Sequence, residues 1–565
     1  MNDASVNILI GGEAGQGLAT IGTLTASALT RGGYHIAVTQ DYMSRIRGGH
    51  NTFAIRLDTA PVLGPREEID VLVALDQETI DLHKDHLSGR GVIVAGKEMD
   101  VRGHPRAFMV PYDELSPKKL FRNTVGLGVL AAVVCLDMDI LKDLLAETFE
   151  KKGEEVISQN IEALEKAYAW KTSQEKIFEC PMPPQGQQGR LIMTGNEAIA
   201  LGAMAAGVNF CAFYPMTPST SIPLTLIDKG LELGIVAEQV EDEIAAMNMA
   251  LGASYAGARA MVATSGGGFD LMSEGLSLAG ITETPIVIAL AMRPGPATGL
   301  PTRTEQADLN LALFSGHGEF PRAILAPGDI EECFSLTQRA FGLAERWQSP
   351  VFVLTDQFLA DSFRSVEPFD LDALPEPEPL MIEAPGDPAQ YRRYALADSG
   401  VSPRAIPTLS RALVVVDSDE HDEAGHITED FGVRVAQADK RNRKFDGLLR
   451  EAAPPSHEGP ERPDLLLVCW GSTKGAVLEA ARTLRGQGRE VATLHFSQVW
   501  PMDPGLVGSR LRQAREVVMV EGNATGQLRG ILQVQTGFRI EKLIPRYDGL
   551  PFTAGFILNR LNEMR

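Results

Sequence analysis

Four short stretches carry residues that could do chemistry together. Tyr214-Pro215-Met216-Thr217-Pro218-Ser219-Thr220 puts a hydroxyl on a turn stiffened by prolines, which fix φ and remove competing N–H donors. Glu238-Gln239-Val240-Glu241-Asp242-Glu243 runs a set of acids into a helix start. Ser265-Gly266-Gly267-Gly268 lets a helix N-terminus approach another group closely. Arg293-Pro294-Gly295-Pro296-Ala297-Thr298-Gly299-Leu300-Pro301-Thr302 brings a guanidinium fork and hydroxyls onto a rigid loop, a set suited to gripping a carboxylate. Each alone has an ordinary reading. Pro-rich turns are usually only turns, acids at a helix start favour the macrodipole, and an isolated Arg is usually a surface residue. Their coincidence is the signal, because each stretch directly follows an apolar run that reads as a strand.

Those runs are 208–213, 234–237, 260–264 and 285–292, with further strands at 323–325 and 350–354 and helices at 195–206, 241–255 and 269–279. Strands alternating with helices imply parallel βαβ units, and ligands bind beyond the carboxyl ends of such strands. The same pattern opens the chain: a strand at 6–10, the loop Gly11-Gly12-Glu13-Ala14-Gly15-Gln16-Gly17, a helix at 18–31, then strands at 52–57, 71–75 and 91–95. It returns near the end, with strands at 465–469, 491–494 and 517–520. The fold class is therefore α/β, with several parallel-sheet domains. The expected boundaries are a first domain 1–172, a Pro- and Gln/Gly-rich linker 173–190, a central domain 191–364 and a last domain 463–565. Residues 365–462, rich in Pro, Asp and Glu with weak periodicity, read as an extended connection carrying one or two small elements.

Composition bounds the function. At about 150 residues per domain, 565 residues suit roughly three to four domains. With 44% apolar residues the chain can bury several cores. A formal charge of −22 without a Lys/Arg run disfavours nucleic-acid binding. No apolar run is long enough for a membrane span, and the first residues lack a basic, cleavable leader, so a cytoplasmic location is expected. Five scattered cysteines without a CxxC argue against disulfides or a metal cluster held by this chain alone, and read as buried thiols. Gly12-x-x-Gly15-x-Gly17 reverses the dinucleotide spacing G-x-G-x-x-G, which speaks against a NAD-linked dehydrogenase built on the first domain.

The central domain resembles the α-chain pyrimidine-type domain of 2-oxoacid:ferredoxin oxidoreductases, which use thiamine diphosphate and coenzyme A. The stretches that carry the resemblance are Gly195-Asn196-Glu197-Ala198, Tyr214 to Ser219, Glu241-Asp242-Glu243-Ile244-Ala245-Ala246, Thr264 to Gly268 and Arg293 to Thr302. The first domain resembles the family's γ domain through Gly11 to Gly17 and Ser44-Arg45-Ile46-Arg47-Gly48-Gly49. The last resembles its transketolase C-terminal-like domain through Glu521-Gly522-Asn523-Ala524-Thr525-Gly526-Gln527-Leu528. The order is the family's fused γ–α arrangement.

The resemblance implies roles. Glu243 would be the catalytic and cofactor-binding carboxyl that hydrogen-bonds N1′ of the aminopyrimidine of thiamine diphosphate. Arg293 would bind the carboxylate of a 2-oxoacid, with Thr302 and Thr217 completing the substrate pocket. Gly12, Gly15 and Gly17 are candidates for contacting CoA, and Arg45 and Arg47 for contacting phosphates or a partner. The family's Gly-Asp-Gly motif with a downstream Asn, and its four-cysteine set, are missing here. A β subunit is therefore expected to supply the diphosphate site, Mg²⁺ and a 4Fe–4S cluster, in a dimer of αβ heterodimers that reduces ferredoxin. The implied reaction is CoA-dependent oxidative decarboxylation of a 2-oxoacid, or its reverse, with 2-oxoglutarate as the expected substrate and succinyl-CoA as the product. Arg322 or His317 could meet a second carboxylate. Pyruvate or broad specificity is the alternative, as is a non-catalytic assembly subunit, against which the joint presence of Glu243, Arg293 and Thr302 argues.

Overall fold

The structure is a computed structural model, and it describes residues 5–13, 16–43, 49–116, 121–181, 183, 185–186, 189–380, 384 and 386–564. Gly15, Arg45 and Arg47 lie outside the described residues. The strands are β1 (Val6–Glu13), β2 (His35–Asp41), β3 (His50–Asp58), β4 (Ile69–Ala74), β5 (Leu87–Gly96), β6 (Ala107–Val110) and β7 (Leu191–Thr194). There follow β8 (Phe210–Phe213), β9 (Val236–Gln239), β10 (Ala260–Thr264), β11 (Ile286–Met292), β12 (Ala323–Leu325), β13 (Pro350–Asp356) and β14 (Phe363–Val366). The last are β15 (Ser456–Glu458), β16 (Leu465–Trp470), β17 (Val491–Phe496), β18 (Gln498–Trp500), β19 (Glu516–Glu521) and β20 (Lys542–Pro545). They form three sheets in two compact units.

The first unit takes residues 1–193, 361–369 and 553–559. Its sheet runs β6-β5-β4-β1-β3-β2-β14-β7. Side chains alternate along β1, so that Ile8 and Ile10 enter the core under the helices Leu18–Arg31 and Arg122–Val133 while Leu9 packs on the opposite face. This sheet is mixed rather than parallel: β3 is antiparallel to both β1 and β2. The eight residues between β2 and β3 are too few for the crossover that a parallel pair needs.

The second unit takes 194–360, 370–552 and 560–565. One sheet runs β18-β12-β13-β11-β10-β8-β9, parallel except at β18. The other runs β15-β17-β16-β19-β20, parallel except at β15. Their buried strands share one apolar core, in which Val262, Ile288 and Phe352 join Leu466, Phe496 and Met519. Of the five cysteines, the buried reading holds for Cys211, Cys333 and Cys469, whereas Cys135 is exposed and Cys180 half-buried. Among the described residues, no helix is long and apolar enough to cross a membrane.

The connection expected to be extended carries a 20-residue helix, Phe431–Arg450, capped by the Asp430 carboxylate on the Gly432 and Val433 N–H groups. Its buried face holds Gln437, Lys440, Arg441, Lys444 and Gly447, spaced as a helix face but polar, so no hydrophobic period marks it. Lys440 Nζ lies 2.7 Å from Glu283 Oε1, and Lys444 pairs with Oε2. Arg393 donates to the Glu283 carbonyl at 2.9 Å, and Lys444 to the Gln348 carbonyl at 3.1 Å. Burial pushes the Glu283 carboxyl up, but the Lys444 and Lys440 ammonium groups outweigh it and hold it at about 2. Removing one charge from such a fully buried set leaves the others unbalanced. Glu283→Gln is therefore expected to lower the urea midpoint of the chain by the equivalent of about 3–5 kcal/mol. Glu541→Gln, in an exposed pair with Arg539, should leave it within about 0.5 kcal/mol.

Candidate active site

The carboxyl ends of β8, β9, β10 and β11 open on one edge of the seven-stranded sheet. β8 has β9 on one side and β10 on the other, so the chain reverses direction of winding there and leaves a crevice beyond the strand ends. Local sequence fixes the turns that line it. Thr194 and Glu197 form a capping box at the start of the helix Gly195–Ala205. From that helix the buried Asn196 donates to the Pro218 carbonyl and to Ser221 Oγ, both at 2.7 Å, holding the turn that carries Thr217. Arg293 leaves the end of β11, and its Nη1 donates to the Thr217 carbonyl at 2.6 Å. Since β10 lies between β8 and β11, this bond bridges the crevice over the β10 turn. Burial lowers the Arg293 pKa, and the Asp308 carboxylate opposes that shift.

Glu243 is the first residue of the helix Glu243–Tyr255, but it does not cap it. The Asp242 side chain does, accepting from the Ala245 N–H at 2.7 Å. Glu241 and Asp242 are exposed, whereas Glu243 is 3% exposed with Oε1 buried and unpartnered. An acid serving only the helix macrodipole would stay in water, so burial without a partner sets Glu243 apart. The β10 turn is what admits it: a Cβ on Gly268 would overlap Thr264 Oγ1 and lie 2.5 Å from Glu243 Oε1.

The loop after Arg293 ends in Thr302, 9% exposed, and runs on to Asp308. Gln306 sutures it to the third sheet: its N–H donates to the Gly522 carbonyl at 2.6 Å, its Nε2 to the Trp470 carbonyl at 3.0 Å, and its Oε1 accepts the Gly522 N–H at 2.8 Å. Two acids on this loop escape the sequence reading. Burial pushes Glu305 up to about 7, with Asp308 adding to it, and pushes Asp308 up to about 6, with Asp270 adding and Arg293 opposing. The one signal for Asp308 is its place six residues beyond Thr302, and an acid before an apolar run reads as a helix cap.

Thr217, Glu243, Arg293 and Thr302 thus gather in the second unit. Gly12 and Gly17 belong to the first. Gly12 lies one residue before the end of β1, beside Leu75, and Gly17, at φ 78°, precedes the helix Leu18–Arg31 where a side chain would overlap the Asn123 amide. Arg322 is spent on the carbonyls of Ala312 and Ser315, at 3.0 and 2.7 Å, and stacks on Phe320. His317 is exposed. Among the described residues, no group of three or more His, Cys, Asp or Glu is placed to hold a metal ion.

Residues 201–440 match the thiamine diphosphate-binding family model of pyruvate flavodoxin/ferredoxin oxidoreductase. Residues 7–170 match that of pyruvate ferredoxin/flavodoxin oxidoreductase, and 457–532 that of the transketolase C-terminal domain. The chain is 32% identical to subunit alpha of 2-oxoacid:ferredoxin oxidoreductase 2 of Aeropyrum pernix, over 97% of this chain and 95% of that one. It is 30% identical to the 2-oxoglutarate oxidoreductase subunit KorA of Mycobacterium tuberculosis, over 97% and 90%. A solved structure of the 2-oxoglutarate:ferredoxin oxidoreductase of Magnetococcus marinus, with 2-oxoglutarate, coenzyme A and succinyl-CoA bound, aligns with a TM-score of 0.93 at 31% identity over the whole of both chains.

The β10 turn makes a sharp test. Gly268→Ala must displace the Glu243 carboxyl, and turnover of the assembled enzyme should fall by about 10²-fold. Gly267→Ala, whose Cβ meets only the Ala297 carbonyl at 3.9 Å, should keep turnover within about twofold of the parent. Steady-state rates on both variants, with circular dichroism as the check on folding, decide it.

Proposed function

The chain belongs to the family of 2-oxoacid:ferredoxin oxidoreductase α subunits, and we propose that it acts with a β subunit to convert 2-oxoglutarate and CoA to succinyl-CoA and CO₂. Two electrons leave singly for ferredoxin, and reduced ferredoxin can drive the same chemistry toward carboxylation. The observation that carries the reading is Glu243: a buried carboxyl with an unpartnered oxygen, following a strand of the same sheet edge that carries Arg293. That unpartnered Oε1 fits N1′ of an aminopyrimidine, which needs a carboxyl partner in a place that water does not reach. Bound thiamine diphosphate supplies nucleophilic attack on the keto carbon and a sink for the charge left when CO₂ departs.

This chain's residues do the rest. Glu243 shares a proton with the aminopyrimidine ring. Arg293, already fixed through one nitrogen by the Thr217 carbonyl, turns its remaining N–H donors to the 2-oxoacid carboxylate, and the Thr302 and Thr217 hydroxyls complete the pocket. Gly12, Gly15 and Gly17 are assigned to the CoA side of the reaction. Mg²⁺ and the 4Fe–4S cluster are assigned to the β subunit, because this sequence has neither the Gly-Asp-Gly and Asn pair nor four grouped cysteines. Two αβ pairs make the assembly.

Glu243→Gln, purified with the β subunit, should assemble normally and lose about 10²–10⁴-fold in turnover. The assay is methyl viologen reduction with thiamine diphosphate, Mg²⁺ and CoA, run with 2-oxoglutarate and with pyruvate. CoA-dependent reduction with 2-oxoglutarate alone is the expected result. Reduction with both acids would move the enzyme to the broad-specificity branch, and unchanged turnover in Glu243→Gln would replace the catalytic reading with an assembly role.

A further inference from the structure

Asp308 stands at the N-cap of the helix Leu309–Phe314, yet its side chain caps nothing. Elsewhere in this chain aspartates in that position do the usual work: Asp76, Asp242, Asp329 and Asp430 each accept a backbone N–H of the first helical turn. At Asp308 the task has passed to another residue. The Asn310 N–H donates to Gln527 Oε1 at 2.8 Å, and Gln527 Nε2 donates to the Ala307 carbonyl at 2.6 Å. The Asp308 carboxylate turns instead into the β10 turn, so close that a Cβ on Gly266 would collide with Oδ2. That oxygen is buried and has no partner.

The same turn therefore shelters three unpartnered polar atoms: Glu243 Oε1 at Gly268, Asp308 Oδ2 at Gly266, and Ser265 Oγ, one residue before Gly266. A buried polar atom without a partner in the chain calls for one from outside it, a ligand or a water. Glu243 is accounted for by the cofactor. Asp308 faces Arg293 within electrostatic range and without a hydrogen bond, on the loop that also carries Thr302.

We propose that Asp308 is a substrate-recognition residue that takes a proton from solvent as the 2-oxoacid carboxylate docks at Arg293, and then donates its O–H to the bound acid. The inference rests on the reading of this crevice as a 2-oxoacid site. Its physical basis is simple. An ionised Asp308 repels an incoming carboxylate, whereas a protonated one has an O–H to give, since Oδ2 has no partner within the chain. The charges that face it are Asp270 on the helix after the glycine turn, Arg293 at the end of β11 and Glu305 on its own loop. Two of the three are acids. With Asp308 already held at about 6 in the free site, an added substrate carboxylate raises it further and draws the proton in at neutral pH.

Proton uptake on binding weakens affinity as pH rises. KM for the 2-oxoacid should climb toward about tenfold per pH unit above pH 6, with kcat moving little. Asp308→Asn is nearly isosteric and carries a permanent donor. It should flatten the KM profile, lower KM at pH 8 and leave kcat within about twofold. Calorimetry in buffers of different ionisation heat gives a readout without turnover. Binding of 2-oxoglutarate or pyruvate, whichever the enzyme turns over, to the Glu243→Gln complex should take up about one proton at pH 7.5. Adding Asp308→Asn should remove that uptake. A parent KM that is flat with pH, or uptake that persists in Asp308→Asn, overturns the proposal and leaves the site reading standing. Undiminished turnover in Glu243→Gln overturns the site reading itself, and the KM profile of Asp308→Asn still decides for or against Asp308.

Discussion

The β10 turn has to bring backbone against two carboxyl groups at once, and the candidate site depends on that close approach. Gly266 and Gly268 leave no room for a side chain where Asp308 and Glu243 lie. Burying an acid without a partner is unfavourable by several kcal/mol in an apolar setting. The fold sustains it because every neighbouring element is fixed by other bonds: Asp242 caps the Glu243 helix, Asn196 holds the Thr217 turn, and Arg293 bridges to it. Local rules are broken at these two acids, and the bonds of the surrounding structure hold them in place.

The parts of this site that are legible in sequence share one property. They follow strands of one parallel sheet: β8, β10 and β11, buried along nearly their whole length, stand out as near-continuous apolar runs, whereas β9, the exposed edge strand before Glu243, does not. β10 and β12 have the bounds that the apolar runs suggest, and Thr217, Glu243, Arg293 and Thr302 follow from asking what comes after each strand. The helix expected at 269–279 begins at Gly266 and breaks at Met272, because glycines that read as a loop here open a helix. In the first sheet, β2, β6, β7 and β14 go unread. β14 comes from residues 363–366, far along the chain, and local pattern carries no information about a partner so distant.

The Phe431–Arg450 helix is illegible for a different reason. Its inward face is built from Gln437, Lys440, Arg441 and Lys444, so a search for apolar spacing finds only a charged stretch. What makes those residues interior is Glu283, about 150 positions earlier, at the end of a helix in the thiamine-type region. Pairing, not hydrophobicity, decides which face is buried. A charge-bearing segment between two domains then reads as a linker when it is in fact bound by a buried ion cluster.

The third sheet has a direct hold on the loop that carries Thr302 and Asp308. The stretch Glu521 to Leu528 resembles the transketolase C-terminal-like domain, and Gly522, Asn523 and Gln527 from it bond to that loop. Glu521 caps the helix Gln527–Thr536 by accepting the Leu528 N–H at 2.7 Å, and Asn523 donates to the Gln306 carbonyl at 3.0 Å. Gly522 exchanges two hydrogen bonds with Gln306, and Gln527 stands in for the missing cap of Asp308. Gln306 lies between Thr302 and Asp308 in sequence, so fixing it fixes both ends of the segment that lines the crevice. The last domain thereby helps to position the loop that carries Thr302, although it contributes none of the four candidates Thr217, Glu243, Arg293 and Thr302 itself. The bonds from Gln306 and Gln527 thus join two domains that already share one apolar core and one compact unit.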